Sequence, residues 1–322
     1  MSQNPLRIAV AGAGAFGREH LAVLARRDDV AIAGVADIRP DATDAAVRDF
    51  GAERDFVDAV AMIEAVQPDG LVVASPGHTH VAIATAALAR GIPVLLEKPV
   101  GLSAADADAL LAAERRSTAF VLPGHVLRFS EPYRRVVEIV RSGAIGGVLS
   151  VSARNHRDEG HAARYPDIDP VLMTMVHDID FILWVTGGTL EAVLALRRPA
   201  GTARSETIVT GWDDAGAVWH ISNAWTLPVP DGAPDRVEIV GDRGSVEMDL
   251  GIAIRVFGAN AREIDLRDAP PDDMLATEIE AFLSGVRAGR HPGIVTLADA
   301  RNGLAAADAI ARSLATGGLA RP

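Results

Sequence analysis

The stretch from Leu6 to Arg27 limits the fold more than any other. An apolar run, LRIAVA (Leu6 to Ala11), leads into Gly12-Ala13-Gly14-Ala15-Phe16-Gly17, and a helical pattern follows through Arg27. Gly12 permits a tight turn, Gly14 lets backbone N–H groups approach a pyrophosphate, and Gly17 lets the helix pack closely on the strand. Such a loop alone is often only a turn. Here a second apolar strand, Val30 to Ala36, ends at Asp37, 20 residues beyond Gly17, where a carboxylate can accept hydrogen bonds from an adenosine ribose. Together these features specify a dinucleotide site drawn from Gly12, Gly14, Ala15, Phe16, Gly17, Asp37, Ile38 and Arg39. Asp37 repels a 2′-phosphate, which favours NAD; Arg39 would tolerate one, which keeps NADP as the alternative.

The alternation continues. Helical stretches run from Asp41 to Phe50, from Asp58 to Val66, through an Ala-rich segment ending at Arg90, and from Ser103 to Arg116. Strand patterns run from Gly70 to Ser75, over 93–97 and from Ala119 to Pro123. Strands and helices alternating at this spacing predict βαβ units, and so an α/β domain over residues 1–123 with a doubly wound parallel sheet. Ligands of such sheets lie beyond the carboxyl ends of the strands. The glycine loop, Asp37, Ser75-Pro76 and Glu97-Lys98-Pro99 all fall there, with His80 as a structural residue at a helix start nearby. Alternation along a strand turns Glu97 and Lys98 to opposite faces, so one supports while the other reaches the ligand.

Beyond Pro123 the pattern changes, and residues 124–322 read as a second, α+β domain with a large, mostly antiparallel open sheet. Ser130 to Ser142 is an amphipathic helix and Val148 to Arg157 a strand. Asp169 to Trp184 is an apolar helical run that carries His177, Asp178 and Asp180. A meander of strands follows, with Asp213-Asp214-Ala215-Gly216 and Gly241-Asp242-Arg243-Gly244 as hairpin turns. Trp219, Ile221, Asn223 and Trp225 share one face by period two. Met274 to Ala288 and 296–315 close the chain as helices, the last free to pack back on the first domain.

Composition narrows the chemistry. Of 31 basic residues only Lys98 is lysine, so a chain that otherwise uses guanidinium keeps one compact cation whose pKa can move. Net charge −12 argues against a nucleic-acid partner, because that affinity is largely cationic. No apolar run approaches the ~20 residues of a membrane span, and Met1 to Pro5 lead straight into a strand, so a cytoplasmic protein without membrane association is expected. The absence of cysteine excludes disulfides and thiolate chemistry. His156, His161 and His177 follow no metal-binding spacing, and no metal is expected.

With the motifs in order, the chain resembles the Gfo/Idh/MocA oxidoreductases over nearly its whole length. The resemblance rests on GAGAFG; on Ser75, Pro76 and His80; on Glu97-Lys98-Pro99; and on Arg128-Phe129 followed by Pro132 and Tyr133. It extends through Gly143-Ala144-Ile145-Gly146, the H-x-x-D of His177 and Asp180, and Glu278 to Phe282. It implies a Rossmann domain with bound nicotinamide dinucleotide, and a second domain whose open sheet serves partly for assembly into a homodimer or homotetramer. It also implies hydride transfer between nicotinamide and a hydroxyl-bearing carbon of a small polyhydroxylated substrate, a sugar or cyclitol. His177 then matches the acid/base, Lys98 the polarising lysine and Asp180 a substrate contact, while Arg128 and Asn155 lie where substrate is met. Elementary chemistry agrees: a histidine suits proton loss near neutrality, and an ammonium stabilises a developing alkoxide. In one departure Met173 stands where many members place an Asp, leaving Asp178 and Asp169 as substitutes. Two other readings stay open on this scaffold, a hydrolase or lyase that oxidises its substrate transiently and a non-catalytic dinucleotide-binding protein.

Overall fold

The computed structural model describes residues 4–164, 168–202, 204–228 and 233–322. Met1–Gln3, part of the terminus read as leading into the first strand, lie outside them. Two units emerge, Met1–Phe129 with Asp273–Arg301, and Ser130–Asp272 with Asn302–Pro322.

In the first unit short apolar strands alternate with helices: β1 (Leu6–Ala11), α1 (Ala15–Leu24), β2 (Val30–Ala36), α2 (Pro40–Phe50), β3 (Asp55–Phe56), α3 (Ala59–Val66), β4 (Gly70–Val73), α4 (His80–Leu88), β5 (Val94–Glu97), α5 (Ala104–Glu114) and β6 (Val121–Gly124). The strands pair in the order β3-β2-β1-β4-β5-β6, all parallel. Every residue of β4, β5 and β6 is buried, as expected when helices cover both faces of a sheet. Local chemistry starts the helices: Asp58 accepts the Ala61 N–H at 2.7 Å, and Ser103 with Asp106 forms a capping box at α5. The strand order reverses between β1 and β4, the place where such sheets open a ligand crevice. The two-residue β3 is too short for sequence periodicity to show.

The second unit contains α6 (Glu131–Arg141), β7 (Val148–Asp158), α7 (Glu159–Arg164), a π-helical turn at Val171–Met175 and α8 (Val176–Thr186). Its remaining strands are β8 (Leu190–Arg198), β9 (Glu206–Asp213), β10 (Val218–Leu227), β11 (Arg236–Gly241), β12 (Gly244–Asp249), β13 (Ala253–Gly258) and β14 (Arg262–Asp265). They pair as β14-β13-β12-β11-β7-β10-β9-β8. The expected simple meander is corrected here. Two antiparallel runs, β8–β10 and β11–β14, flank β7, and β7 pairs with β10 in parallel. Trp219, Ile221, Asn223 and Trp225 all lie on the buried face, as their period-two spacing predicts. Among the described residues no helix is long and apolar enough to cross a membrane.

Two helices close the chain, α9 (Met274–Ala288) and α10 (Leu297–Thr316). Sequence order puts α9 in the second domain, but its segment groups with the first unit. The reason is apolar burial. Phe282 is fully buried, with its ring tip 3.0 Å from where a Cβ on Gly70 would stand and its edge against Phe120. Truncating a buried phenyl of this kind typically costs about 3–5 kcal/mol. Ion pairs of Arg27 with Glu280 and of Arg287 with Asp29 bind the same helix to the turn between α1 and β2.

Candidate functional site

The turn after β1 is set by two crowded glycines. At Gly12, φ +100°, a Cβ would stand 2.6 Å from the Ala74 carbonyl and the Ser75 nitrogen; at Gly17 it would stand 2.0 Å from the Gly12 carbonyl oxygen. Gly14 differs. A Cβ there would meet only the Arg39 guanidinium, at 3.9 Å, so its outer side is open to a ligand. Gly14 caps α1 without a side-chain hydrogen bond, and the first turn, which holds Ala15, Phe16 and Gly17, contains no acidic residue. The N–H groups and positive end of the helix are thus left for an anion such as a pyrophosphate.

Asp37 closes the other side. Its Oδ2 accepts the Ala13 N–H at 2.9 Å, and its Oδ1 accepts the Arg39 N–H at 3.0 Å and Nε at 3.3 Å. Burial alone would raise its pKa, but these donors outweigh burial and hold it below the ordinary Asp value. An ionised carboxylate with lone pairs to spare can accept ribose hydroxyls and repels a 2′-phosphate. Ile38, 86% exposed, and the partly exposed Phe16 add apolar surface nearby. The residues fit NAD. Asp37→Ala is expected to raise KM for NAD by roughly 10–100-fold, the loss of one or two charged hydrogen bonds, and to narrow the preference over NADP. Steady-state kinetics with both cofactors checks this, and unchanged KM values would remove Asp37 from the ribose site.

The loops after β4 and β5 are joined through His80. Ser75 Oγ donates to Thr79 Oγ1 at 2.7 Å, and the Thr79 hydroxyl donates to the Pro76 carbonyl at 2.7 Å, shaping the turn ahead of α4. The buried His80 ring places Nε2 2.7 Å from the Ser75 carbonyl and Nδ1 2.8 Å from the Pro99 carbonyl. Both contacts are hydrogen bonds only when the ring carries two protons. Burial works against that charge and lowers the pKa, while the two carbonyls work for it. Glu97 turns inward, with Oε1 2.8 Å from His20 Nε2 and Oε2 accepting the Lys98 backbone N–H at 3.1 Å. Burial lowers the pKa of the Lys98 ammonium, opposed by the charge of Glu97. A loosened ammonium proton is what Arg cannot supply. Arg128, buried, directs its guanidinium to Asp299 at 3.6 Å and to the Ile294 carbonyl at 3.5 Å.

In the second unit His177 is half-buried at the start of α8, and the buried Asp180 follows at i+3 on the same face. The π-helical turn just before them is pinned to β10. Thr174 Oγ1 donates to the Pro170 carbonyl at 3.1 Å and accepts from Asn223 Nδ2 at 2.8 Å and Trp225 Nε1 at 3.2 Å. Such widened turns recur at functional sites. Asn223 pairs in register with Asn155 of β7, both are buried, and the side-chain carbonyl oxygen of each has no hydrogen-bond partner among the described residues. Of the carboxylates expected to replace the one missing at Met173, Asp169 has both oxygens on the Arg197 guanidinium, at 2.7 and 2.8 Å. Asp178 is buried near the Arg157–Asp235 ion pair, where burial and then the Asp235 charge push its pKa well up against the opposing charge of Arg157.

Four residues of these surroundings escape sequence reasoning: His20, Thr174, Asn223 and Glu278 as more than part of a motif. Two carried a readable signal. Asn223 is a polar residue on an otherwise apolar strand face, and Glu278 lies beside Ile279 and one turn before Phe282 on the inward stripe of α9.

Comparison with known proteins bears on this geometry. Residues 6–125 match the family model described as the GFO/IDH/MocA oxidoreductase family, NAD-binding Rossmann fold, and residues 133–247 match the GFO/IDH/MocA C-terminal domain. The chain is 27% identical to inositol 2-dehydrogenase of Ralstonia nicotianae over 326 residues, 98% of this chain and 96% of that one. To inositol 2-dehydrogenase 2 of Saccharopolyspora erythraea it is 29% identical over 328 residues, 98% and 95% of the two chains. The crystal structure of scyllo-inositol dehydrogenase from Lactobacillus casei with NAD(H) and scyllo-inositol matches at a TM-score of 0.84 with 20% identity over 99% of each chain, a likeness of fold. Both domain models match in order over well over half of the chain, and the glycine turn, Asp37 and strand order are those an NAD-binding sheet requires. The chain therefore belongs to the Gfo/Idh/MocA oxidoreductase family.

Proposed function

We propose that this NAD-dependent dehydrogenase oxidises a CH–OH group of a cyclitol or a closely related polyol. The observation that carries the substrate class is the pair of buried amide oxygens on Asn155 and Asn223. A buried polar group without a partner costs about 1–3 kcal/mol, and neighbouring hydroxyls of a polyol would offset that cost by donating to both oxygens. The inositol dehydrogenases among its relatives support a cyclitol.

Bound NAD supplies the hydride acceptor. His177 takes the hydroxyl proton as the hydride leaves, a task suited to an intrinsic pKa of ~6.5. The Lys98 ammonium stabilises the developing alkoxide, and its lowered pKa eases exchange of its own proton. Asp180 accepts from a neighbouring hydroxyl. Leu194, Leu196, Ile208, Trp212 and Val218, exposed on β8, β9 and β10, support assembly of copies through this sheet face.

A dehydrogenase screen over inositol isomers, aldoses and sugar acids, followed by NADH absorbance, tests the reading. The highest kcat/KM is expected on a cyclitol, and Asn155→Ala and Asn223→Ala should each raise its KM by roughly 10-fold. Product without NADH would favour a transiently oxidising hydrolase or lyase. NAD binding without turnover on any compound would favour the non-catalytic reading that Met173 keeps open.

A further inference from the structure

Within the first unit three titratable side chains from three elements meet out of reach of water. They are His20 of α1, 0% exposed; Glu97 at the end of β5, 6% exposed; and Glu278 of α9, 0% exposed. One nitrogen or oxygen of each lies within 4.8 Å of those of the other two. Two buried carboxylates this close repel each other's charge, which favours a proton on one of them.

Which one follows from the donors. Glu97 has two, His20 Nε2 at 2.8 Å and the Lys98 backbone N–H at 3.1 Å, and its charge acts on the Lys98 ammonium. Neither oxygen of Glu278 has a partner among the described residues. Burial, and after it the charge of Glu97, push the Glu278 pKa well up. His20 Nδ1 also has no hydrogen-bond partner among the described residues. Of the other elements packed here, the turn Val126–Phe129 brings Arg128, whose guanidinium is directed to Asp299 and the Ile294 carbonyl.

We propose that Glu278 is a positioning residue: as a neutral acid held within 4.8 Å of Glu97, it leaves that carboxylate its charge and, through the hydrogen bond that Glu97 accepts from the Lys98 backbone N–H, places the lysine that acts on substrate. Only the last step rests on the role given to Lys98 above. A divalent cation is the rival occupant of the same three groups, but it would need both carboxylates ionised and would find three ligands where a structural site usually supplies four.

The full-length, NAD-loaded protein serves for the test. An infrared difference spectrum of wild type minus Glu278→Gln near neutral pH is expected to show the carbonyl band of a protonated carboxylic acid. Glu278→Gln, which copies the shape of the neutral acid, should keep kcat within about threefold, whereas Glu278→Asp, which withdraws the group from Glu97, should lower kcat about tenfold with little change in KM for NAD. Stability gives a second readout. A carboxyl raised above its unfolded pKa binds more protons folded than unfolded, so wild-type stability falls as pH rises above the ordinary carboxyl range. Glu278→Gln lacks that fall, and its Tm should gain on wild type between about pH 5 and about pH 8. No acid band, a Tm difference independent of pH, or a stoichiometric divalent ion lost in Glu278→Gln would each overturn the proposal. None of the three depends on the substrate, so they also separate this failure from failure of the dehydrogenase reading.

Discussion

Lys98→Ala and Lys98→Arg should each lower kcat by about 10²-fold or more while the Kd for NAD stays within a few-fold, the usual effect of losing a positioned proton-handling group. The arginine variant is the sharper of the two. It keeps the charge in a chain that uses Arg for every other basic residue, but it cannot release a proton. Burial in the native protein lowers the lysine pKa, so the high-pH limb of the wild-type rate profile should begin below the ordinary lysine value, and in Lys98→Arg that limb should vanish. Turnover at the wild-type rate in Lys98→Arg would remove the reason for a unique lysine.

Replacing His177 with Ala should cost about 10²–10⁴-fold in kcat and abolish one ionisation. A general base works unprotonated, so the wild-type rate should rise with pH through an ionisation between about 6 and 8. His177→Ala should be flat across that range, with partial rescue by added imidazole. A variant that keeps the ionisation would assign it to another group.

The parts of this protein that are legible in its sequence are those whose cause is local. The glycine turn could be read because Gly12 and Gly17 answer to backbone atoms of their own turn and the loop beside it, and Asp37 because its distance from that turn is set by one βαβ unit. The alternation of Trp219, Ile221, Asn223 and Trp225 gave the face of β10, yet the parallel pairing of β10 with β7 depends on two strands far apart in the chain, and periodicity carries no record of it. Glu278 was visible as a motif without a function, because the role proposed for it depends on Glu97, more than 180 residues earlier. The return of α9 to the first unit was hidden for the same reason: the inward stripe of a helix says that it will be buried, and not against what.

That return also orders events during synthesis. The sheet that binds the dinucleotide is written in the first 129 residues, but the helix that covers Gly70 and Phe120 and brings Glu278 to Glu97 is made only after the whole of β7 to β14. A nascent chain released before Asp273 should therefore present an unfinished apolar face around Gly70 and Phe120, and bind chaperones through it.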